Sequence, residues 1–164
     1  MSEVFIIDAI RTPIGSFLGQ YKKTDAVDLG SLCVEGIFNR NKNLNKKQVE
    51  GLILGQVLTA GLGMNTARQV LLKSELSQNS FAYCVNQVCG SGMRAVMETA
   101  LKIKSNENQL LVAGGQESMS LARHTSLQRV VTKLGHDMMT DSILSEGLTD
   151  VFSKDHMGIT AENV

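Results

Sequence analysis

Short apolar runs alternate with amphipathic stretches along the first 115 residues of the chain. A short continuous apolar run is typical of a strand that is buried on both faces of a parallel sheet. Four such runs predict strands over residues 4–7, 49–55, 81–85 and 109–115. The polar and glycine-containing segments that bound these runs are typical of loops.

The stretches between the runs predict three helices. The first follows the capping residues Thr24 and Asp25, the second follows Asn65, and the third covers about residues 91–104. The third helix carries an apolar face that suits packing against a core, formed by Met93, Val96, Met97, Ala100 and Ile103. Strands that alternate with helices imply parallel pairing, so the pattern predicts an α/β fold in the order βαβαβαβ.

The pattern changes after Glu117. Residues 119–155 show no clear strand, and we interpret them as an excursion from the sheet with a helix near residues 138–144. The last residues, 161–164, are predicted to begin a further helix, with Thr160 as the candidate cap.

Composition and charge restrict the class of protein. The 164 residues are 43% hydrophobic and 20% charged, which suits one folded domain, at most with an appendage. Basic and acidic side chains both number 16, so no nucleic-acid partner is expected. No apolar run reaches the length of about 18 residues that a membrane span requires, and the first residues do not resemble a secretory signal.

The three cysteines, Cys33, Cys84 and Cys89, have neither the number nor the spacing of a disulfide framework or a zinc site. We therefore expect a reducing, cytoplasmic compartment and no bound metal. Cys33 lies inside a predicted helix and Cys84 inside a predicted strand, so core packing is expected for both.

Cys89 stands at the joint between the third apolar run and the third helix. Unpaired N–H groups and the positive end of the helix macrodipole favour a thiolate at such a position, and the thiolate is the nucleophilic form. Gly90 and Gly92 remove side chains beside it, which allows close approach of a substrate. From these residues alone, a covalent nucleophile and an ordinary buried thiol are both open interpretations.

Several motifs in one order along the chain resemble those of the thiolase family. The stretch around Cys89 resembles the nucleophile motif of thiolases, which are acetyl-CoA acetyltransferases. The other stretches resemble further family signatures, before and after it. The motifs are IDAIRTPIG at 7–15, NTARQ at 65–69, NQVCGSG at 86–92, VAGGQESMS at 112–120 and HMGITAEN at 156–163.

The resemblance implies a thiolase-like N-terminal βαβαβαβ(β) core with a mixed, mainly parallel sheet over residues 1–117. It implies that residues 118–164 are part of an inserted loop domain that serves CoA binding and oligomerisation. A basic cluster within this second region is then best interpreted as an oligomer contact, with a solvated face or attraction of CoA phosphates as alternatives. The cluster consists of Arg123, His124, Arg129, Lys133 and His136.

The resemblance also implies a reaction. Two acetyl-CoA molecules would condense to acetoacetyl-CoA and CoA, or the reverse thiolysis would occur, through an acyl group carried on Cys89. The backbone N–H of Cys89 would be one oxyanion-hole donor. Contacts to the CoA substrate would fall on Leu148, His156 and Met157. CoA thioesters would be substrates, with no permanently bound cofactor.

The resemblance further implies a homo-oligomer, a dimer or tetramer, and a role in fatty acid metabolism. Family members are more than twice as long, and their second half carries a Cys acid/base, an activating His and a water-positioning Asn. The chain is therefore expected to be an N-terminal part that is inactive by itself. The alternatives are a structural or partner-binding fragment, a subunit completed by a separate chain, and a ketoacyl synthase relative.

Overall fold

The computed structural model describes residues 3–127 and 134–164. Its centre is a parallel sheet of three strands: β1 (Gly51–Gly55), β2 (Phe81–Val85) and β3 (Leu111–Gly115). The strand order is β2-β1-β3, and Gly51 is paired with Phe81 on one side and with Leu111 on the other. All five residues of β1 are buried. The predicted α/β class with a parallel sheet is confirmed.

Three helices cover the sheet: α1 (Ala26–Arg40), α2 (Thr66–Lys73) and α3 (Ser91–Lys104). Helices α1 and α2 pack together with the side chains of Leu52 and Leu54, while α3 packs on β1 and β3. Two of the predicted caps are confirmed, because the side chains of Asp25 and Asn65 accept hydrogen bonds from backbone N–H groups in the first turns of α1 and α2.

The prediction for the buried face of α3 was wrong. The buried side chains of this helix are small, namely Ser91, Ala95 and Thr99. Of the predicted face, Met93, Val96 and Met97 are exposed, whereas Ala100 and Ile103 are half-buried. The physical reason is the close approach of the helix to the strand ends, described below, which leaves room only for small side chains. Among the residues placed outward, Met93 is 73% and Met97 is 51% exposed.

The prediction of a strand over residues 4–7 was also wrong, so the parallel sheet has three of the four expected strands. The segment joins no ladder in the described part of the chain, and Ile6 is 81% exposed. It is anchored elsewhere, because the Asp8 carboxylate accepts hydrogen bonds from Arg40 and Asn41 at the end of α1. An apolar run without a hydrogen-bonding neighbour does not become a strand.

Residues after Gly115 depart from the predictions as well. A 3₁₀ turn (Met119–Leu121) leads to an antiparallel pair, β4 (His124–Thr125) and β5 (Thr140–Asp141), so two strands exist where none was expected. The helical segment predicted near residues 138–144 is instead a π-helix at Ile143–Leu148, because extended pairing with β4 occupies Thr140 and Asp141. Another 3₁₀ turn (Lys46–Gln48) precedes β1.

The final helix is α4 (Met157–Glu162), which begins earlier than predicted and ends where a new helix was expected to start. His156, rather than Thr160, is its cap, because His156 Nδ1 accepts the N–H of Gly158 at 3.0 Å. Of the predicted basic cluster, Arg129 and Lys133 lie outside the described residues. Within residues 3–127 and 134–164, no helix is long and apolar enough to cross a membrane.

Candidate active site

Cys89 lies on a tight turn between the carboxyl end of β2 and the start of α3, and its side chain is exposed. The turn is held by Ser91, whose hydroxyl accepts the N–H of Gln87 at 2.8 Å and donates to the carbonyl of Val88 at 2.6 Å. The N–H of Gly90, which is the helix cap, donates to the carbonyl of Gln87 at 3.0 Å. The predicted placement of Cys89 at a helix start is therefore confirmed, one residue before the cap.

Val88, the residue before Cys89, has a left-handed backbone with φ of +47°. A β-branched residue rarely adopts this conformation, and a strained backbone of this kind costs about 1–3 kcal/mol. Sequence reasoning missed this feature, since valine carries no signal for a left-handed turn. The hydrogen bonds of Ser91 around the same turn show what holds Val88 there.

Glycines at the strand ends allow the start of α3 to lie directly on the sheet. A Cβ on Gly55 would lie 2.3 Å from the carbonyl carbon of Ser91, and a Cβ on Gly115 would lie 3.3 Å from the Cα of Gly92. Because no real Cβ fits at such a distance from backbone, Gly55 is required for the position of the Cys89 turn.

A group of buried and half-buried polar side chains lies near the carboxyl ends of the three strands, and we call it the strand-end cluster. Its members are Gln56, Thr66, Cys84, Gln116 and Glu117. Gln56 Oε1 accepts from Thr66 Oγ1 at 2.5 Å and from Gln116 Nε2 at 2.8 Å. Thr66 Oγ1 lies 3.1 Å from Cys84 Sγ. Since the hydroxyl proton of Thr66 is given to Gln56, the Cys84 thiol is the donor in that contact.

Glu117 is the only acidic member of the cluster. Its Oε2 accepts the N–H of Val57 at 2.8 Å and the N–H of Leu58 at 3.3 Å. Burial raises the pKa of the Glu117 carboxyl, and the hydrogen bonds from Val57, Leu58 and Ser118 oppose that rise only in part. The motif that contains Glu117 was visible in the sequence, but its contacts, 59 and 60 residues away along the chain, were not.

Three further predicted site residues lie near one another in the described region after residue 134. Thr149 is bridged to His156 by antiparallel pairing, which places Leu148 close to His156 and Met157. Leu148 and Met157 are half-buried and His156 is exposed. Across residues 3–127 and 134–164, no hydrogen bond or ion pair joins these three side chains to Cys89. Their proposed role therefore stays a prediction.

The other two cysteines lie away from the exposed turn, inside α1 and β2. Cys33 and Cys84 are half-buried, and neither is in a disulfide. In the described part of the chain, no group of three or more His, Cys, Asp or Glu side chains is arranged to hold a metal ion.

The fold and the site together define a class: a parallel α/β domain that presents an exposed cysteine on a strand-to-helix turn seated on glycines. Residues 4–164 match the family model described as thiolase, N-terminal domain. The chain belongs to the thiolase family.

Individual relatives agree with this assignment. The chain is 43% identical over 164 residues to an acetyl-CoA acetyltransferase of Paracoccus denitrificans, covering all of this chain and 42% of the relative. It is 44% identical over 161 residues to an acetyl-CoA acetyltransferase of Rhizobium meliloti, covering 98% of this chain and 41% of the relative. The chain thus spans about two fifths of the length of the curated relatives that it matches.

A solved structure agrees as well. The chain resembles a thiolase from Ascaris suum, crystallised in complex with coenzyme A, with a TM-score of 0.88 and 35% sequence identity. The match covers 94% of this chain and 40% of the solved chain.

Proposed function

We propose that Cys89 is the covalent nucleophile of a thiolase-type acyl transfer between coenzyme A thioesters, and that this chain is the N-terminal part of that enzyme. The observation that carries the proposal is the exposed Cys89 side chain on a turn fixed by Ser91 and seated on Gly55. The names of the curated relatives and the coenzyme A complex of the solved relative support the substrate class.

In the proposed reaction the Cys89 thiolate attacks the carbonyl carbon of acetyl-CoA. A bond forms between sulfur and carbon, the bond to the CoA sulfur breaks, and CoA leaves as a thiolate that takes up a proton. A second acetyl-CoA, which has lost a proton from its α-carbon, then attacks the acyl group. The carbon–carbon bond forms, the Cys89 thiolate is released, and acetoacetyl-CoA is the product.

The negative charge that develops on the carbonyl oxygen needs donors. The N–H of Cys89 is one candidate, since it makes no hydrogen bond within residues 3–127 and 134–164 and lies just before the N-terminus of α3. An N–H group at this end of a helix is favoured as an oxyanion-hole donor by the orientation of the helix dipole.

We propose that residues 1–117 form the core domain and that residues 118–164 belong to a loop domain that contacts CoA. The end of the sheet at Gly115 and the separate β4–β5 pair support this division. Leu148, His156 and Met157 are the proposed CoA contacts, and their proximity across the Thr149–His156 bridge supports one shared surface. Apolar side chains with one polar group suit a narrow ligand channel.

Homo-oligomerisation, a cytoplasmic location and a role in fatty acid metabolism complete the proposal. The odd number and the spacing of the three cysteines, which do not suit a disulfide framework, support a reducing compartment. An ultracentrifugation measurement that finds only monomers would remove the oligomer from the proposal.

A second candidate function is a partner-binding fragment, or a subunit that a separate chain completes. The exposed apolar face of α3 favours it, because patches of this kind mark interaction surfaces. This face consists of Met93, Val96, Met97 and Leu101. An assay for acetoacetyl-CoA formation by the 164-residue chain separates the candidates, since robust turnover by this chain alone excludes a purely binding role.

The nucleophile is tested by incubating the complete enzyme, of which this chain is proposed to be the N-terminal part, with acetyl-CoA and measuring intact mass and peptides by mass spectrometry. We expect one acetyl group, on Cys89, that hydroxylamine removes. Cys89→Ala should abolish the adduct and Cys84→Ala should keep it, because Cys84 donates its thiol proton within the strand-end cluster. An unmodified Cys89 in the complete enzyme after prolonged incubation contradicts the proposed mechanism.

A further inference from the structure

We propose that Glu117 is a positioning residue for Cys89: its carboxylate holds the chain that follows β1 against the end of β3, and thereby fixes the surface on which the Cys89 turn rests. The inference deepens the proposed function and rests on Cys89 being the nucleophile.

The carboxylate holds a segment that has left the sheet. Beyond Gly55 the N–H of Gln56 is still paired, with the carbonyl of Val85 at 3.1 Å, but the N–H groups of Val57 and Leu58 have no strand to bind. Glu117 accepts both of them. A carboxylate is suited to this task because its oxygens only accept: Oε2 accepts both N–H groups, and Oε1 also lies 3.4 Å from the N of Leu58.

The held segment is continuous with the surface under Cys89. The N–H of Gln116 donates to the carbonyl of Gly55 at 3.0 Å, so Glu117 follows a residue that is tied to the end of β1. Gly55 in turn touches the peptide between Ser91 and Gly92. A shift of the chain after β1 therefore moves the contact on which the start of α3, and Cys89 before it, is seated.

The choice of an acid at this position is not explained by stability. Within the described residues no basic side chain forms an ion pair with Glu117. Burial without a counter-charge disfavours the ionised form, which the raised pKa reflects. Groups kept in such an environment are concentrated at functional sites.

The chain contains a matched control for this role. Glu50 accepts the N–H of Gln109 at 3.0 Å, the N–H of Leu110 at 3.4 Å and the side chain of Asn108 at 2.8 Å. It thus joins β1 to β3 in the same way as Glu117 does, but at the amino ends of the strands, away from Cys89.

The test uses the three cysteines of the chain as separate reporters. Native protein, Glu117→Ala, Glu117→Gln and Glu50→Ala are treated with iodoacetamide at neutral pH, and the alkylation rate of each cysteine is measured by peptide mass spectrometry. We expect the Cys89 rate to fall about tenfold in Glu117→Ala, less than the roughly 100-fold that a misplacement of about 1 Å can cost a catalysed reaction, because iodoacetamide is not held in a binding site. Glu117→Gln keeps one acceptor oxygen and should restore most of the rate, and Glu50→Ala should leave it within about twofold of native.

Two outcomes overturn the inference. One is a Cys89 rate in Glu117→Ala that equals the native rate. The other is a parallel change at Cys33, Cys84 and Cys89 in Glu117→Ala, which indicates a global loss of structure rather than a local shift at Cys89. The proposed function is tested separately, with the complete enzyme of native sequence: a Cys89 that takes no acetyl group from acetyl-CoA contradicts the nucleophile, whatever the variants do.

Discussion

At the amino ends of β1 and β3 the side chain of Glu50 joins the two strands, and at their carboxyl ends the side chain of Glu117 does the same. The environments differ. Hydrogen bonds from Asn108 and Gln109 lower the pKa of Glu50, whereas burial raises the pKa of Glu117. At the amino end, the ionised form of the Glu50 carboxylate is therefore stabilised. At the carboxyl end, which bears Cys89, the ionised form of the Glu117 carboxylate is disfavoured by burial. This is expected where the position of a group, rather than its contribution to stability, is selected.

Substitution of the glycines at the two ends of β1 is expected to give the largest difference between the amino and carboxyl ends of the sheet. A Cβ on Gly55 would meet the backbone of Ser91 at 2.3 Å, whereas a Cβ on Gly51 would meet the tip of the Phe81 ring at 2.2 Å. Backbone cannot move aside as a ring can. We expect Gly55→Ala to lower the free energy of unfolding by about 3 kcal/mol or more and Gly51→Ala by under about 1.5 kcal/mol, measured by urea denaturation.

Gly55→Ala should also reduce Cys89 acetylation, and Gly51→Ala should not. Equal losses of stability in the two variants would mean that α3 is not seated on the strand ends as described.

The strained turn of the carboxyl end gives the next largest effect. Val88→Gly removes a β-branched residue from a left-handed backbone. Strain relief of about 1–3 kcal/mol should exceed the cost of the extra glycine in the unfolded chain, about 0.5–1 kcal/mol, so the variant should be more stable by about 1 kcal/mol.

Val85→Gly is the control, since Val85 lies in the extended strand β2, and it should destabilise the protein by about 1 kcal/mol. If Val88→Gly destabilises to the same extent, the backbone at Val88 is not a source of strain.

The smallest effect, under about 1 kcal/mol, is a difference in pH dependence between Glu50→Gln and Glu117→Gln. The lowered pKa of Glu50 means that its contribution to stability is present above the unfolded pKa and is lost as pH falls through the folded pKa. The cost of Glu50→Gln should therefore be greatest near neutral pH and should shrink in acid.

The sign is opposite for Glu117. Its raised pKa means that its contribution is present below the unfolded pKa and is lost as pH rises through the folded pKa. Relative to native, Glu117→Gln should thus be favoured at neutral pH, and this advantage should vanish on acidification. Denaturation series at several pH values measure both variants, and parallel profiles would show that the two ends do not differ electrostatically.

Local signals were sufficient for part of the fold. The caps at Asp25 and Asn65 and the bounds of α3 follow from neighbouring residues, and so did the turn that presents Cys89. Partners that are distant in sequence were not predictable in this way. The run over residues 4–7 reads as a strand because a sequence does not show whether a hydrogen-bonding neighbour exists.

The same distinction between local signals and partners distant in sequence applies to the candidate site. Cys89 could be singled out from its own motif, whereas the hold of Glu117 on Val57 depends on the sheet having formed. The buried face of α3 was misjudged for a related reason: large apolar residues at helical spacing indicate a core face, but the glycine contacts at Gly55 and Gly115 reserve that face for Ala95 and Thr99.

The register of the sheet has a consequence for the way the chain folds. Gly51 pairs with Phe81, 30 residues later, and with Leu111, 60 residues later, so the central strand β1 is completed last from the side of β3. Pairings of such long sequence separation slow folding, because loop-closure entropy is lost before the contacts form. During synthesis, β1 and β2 are made before β3. Until β3 is made, the edge of β1 that pairs with it is uncovered.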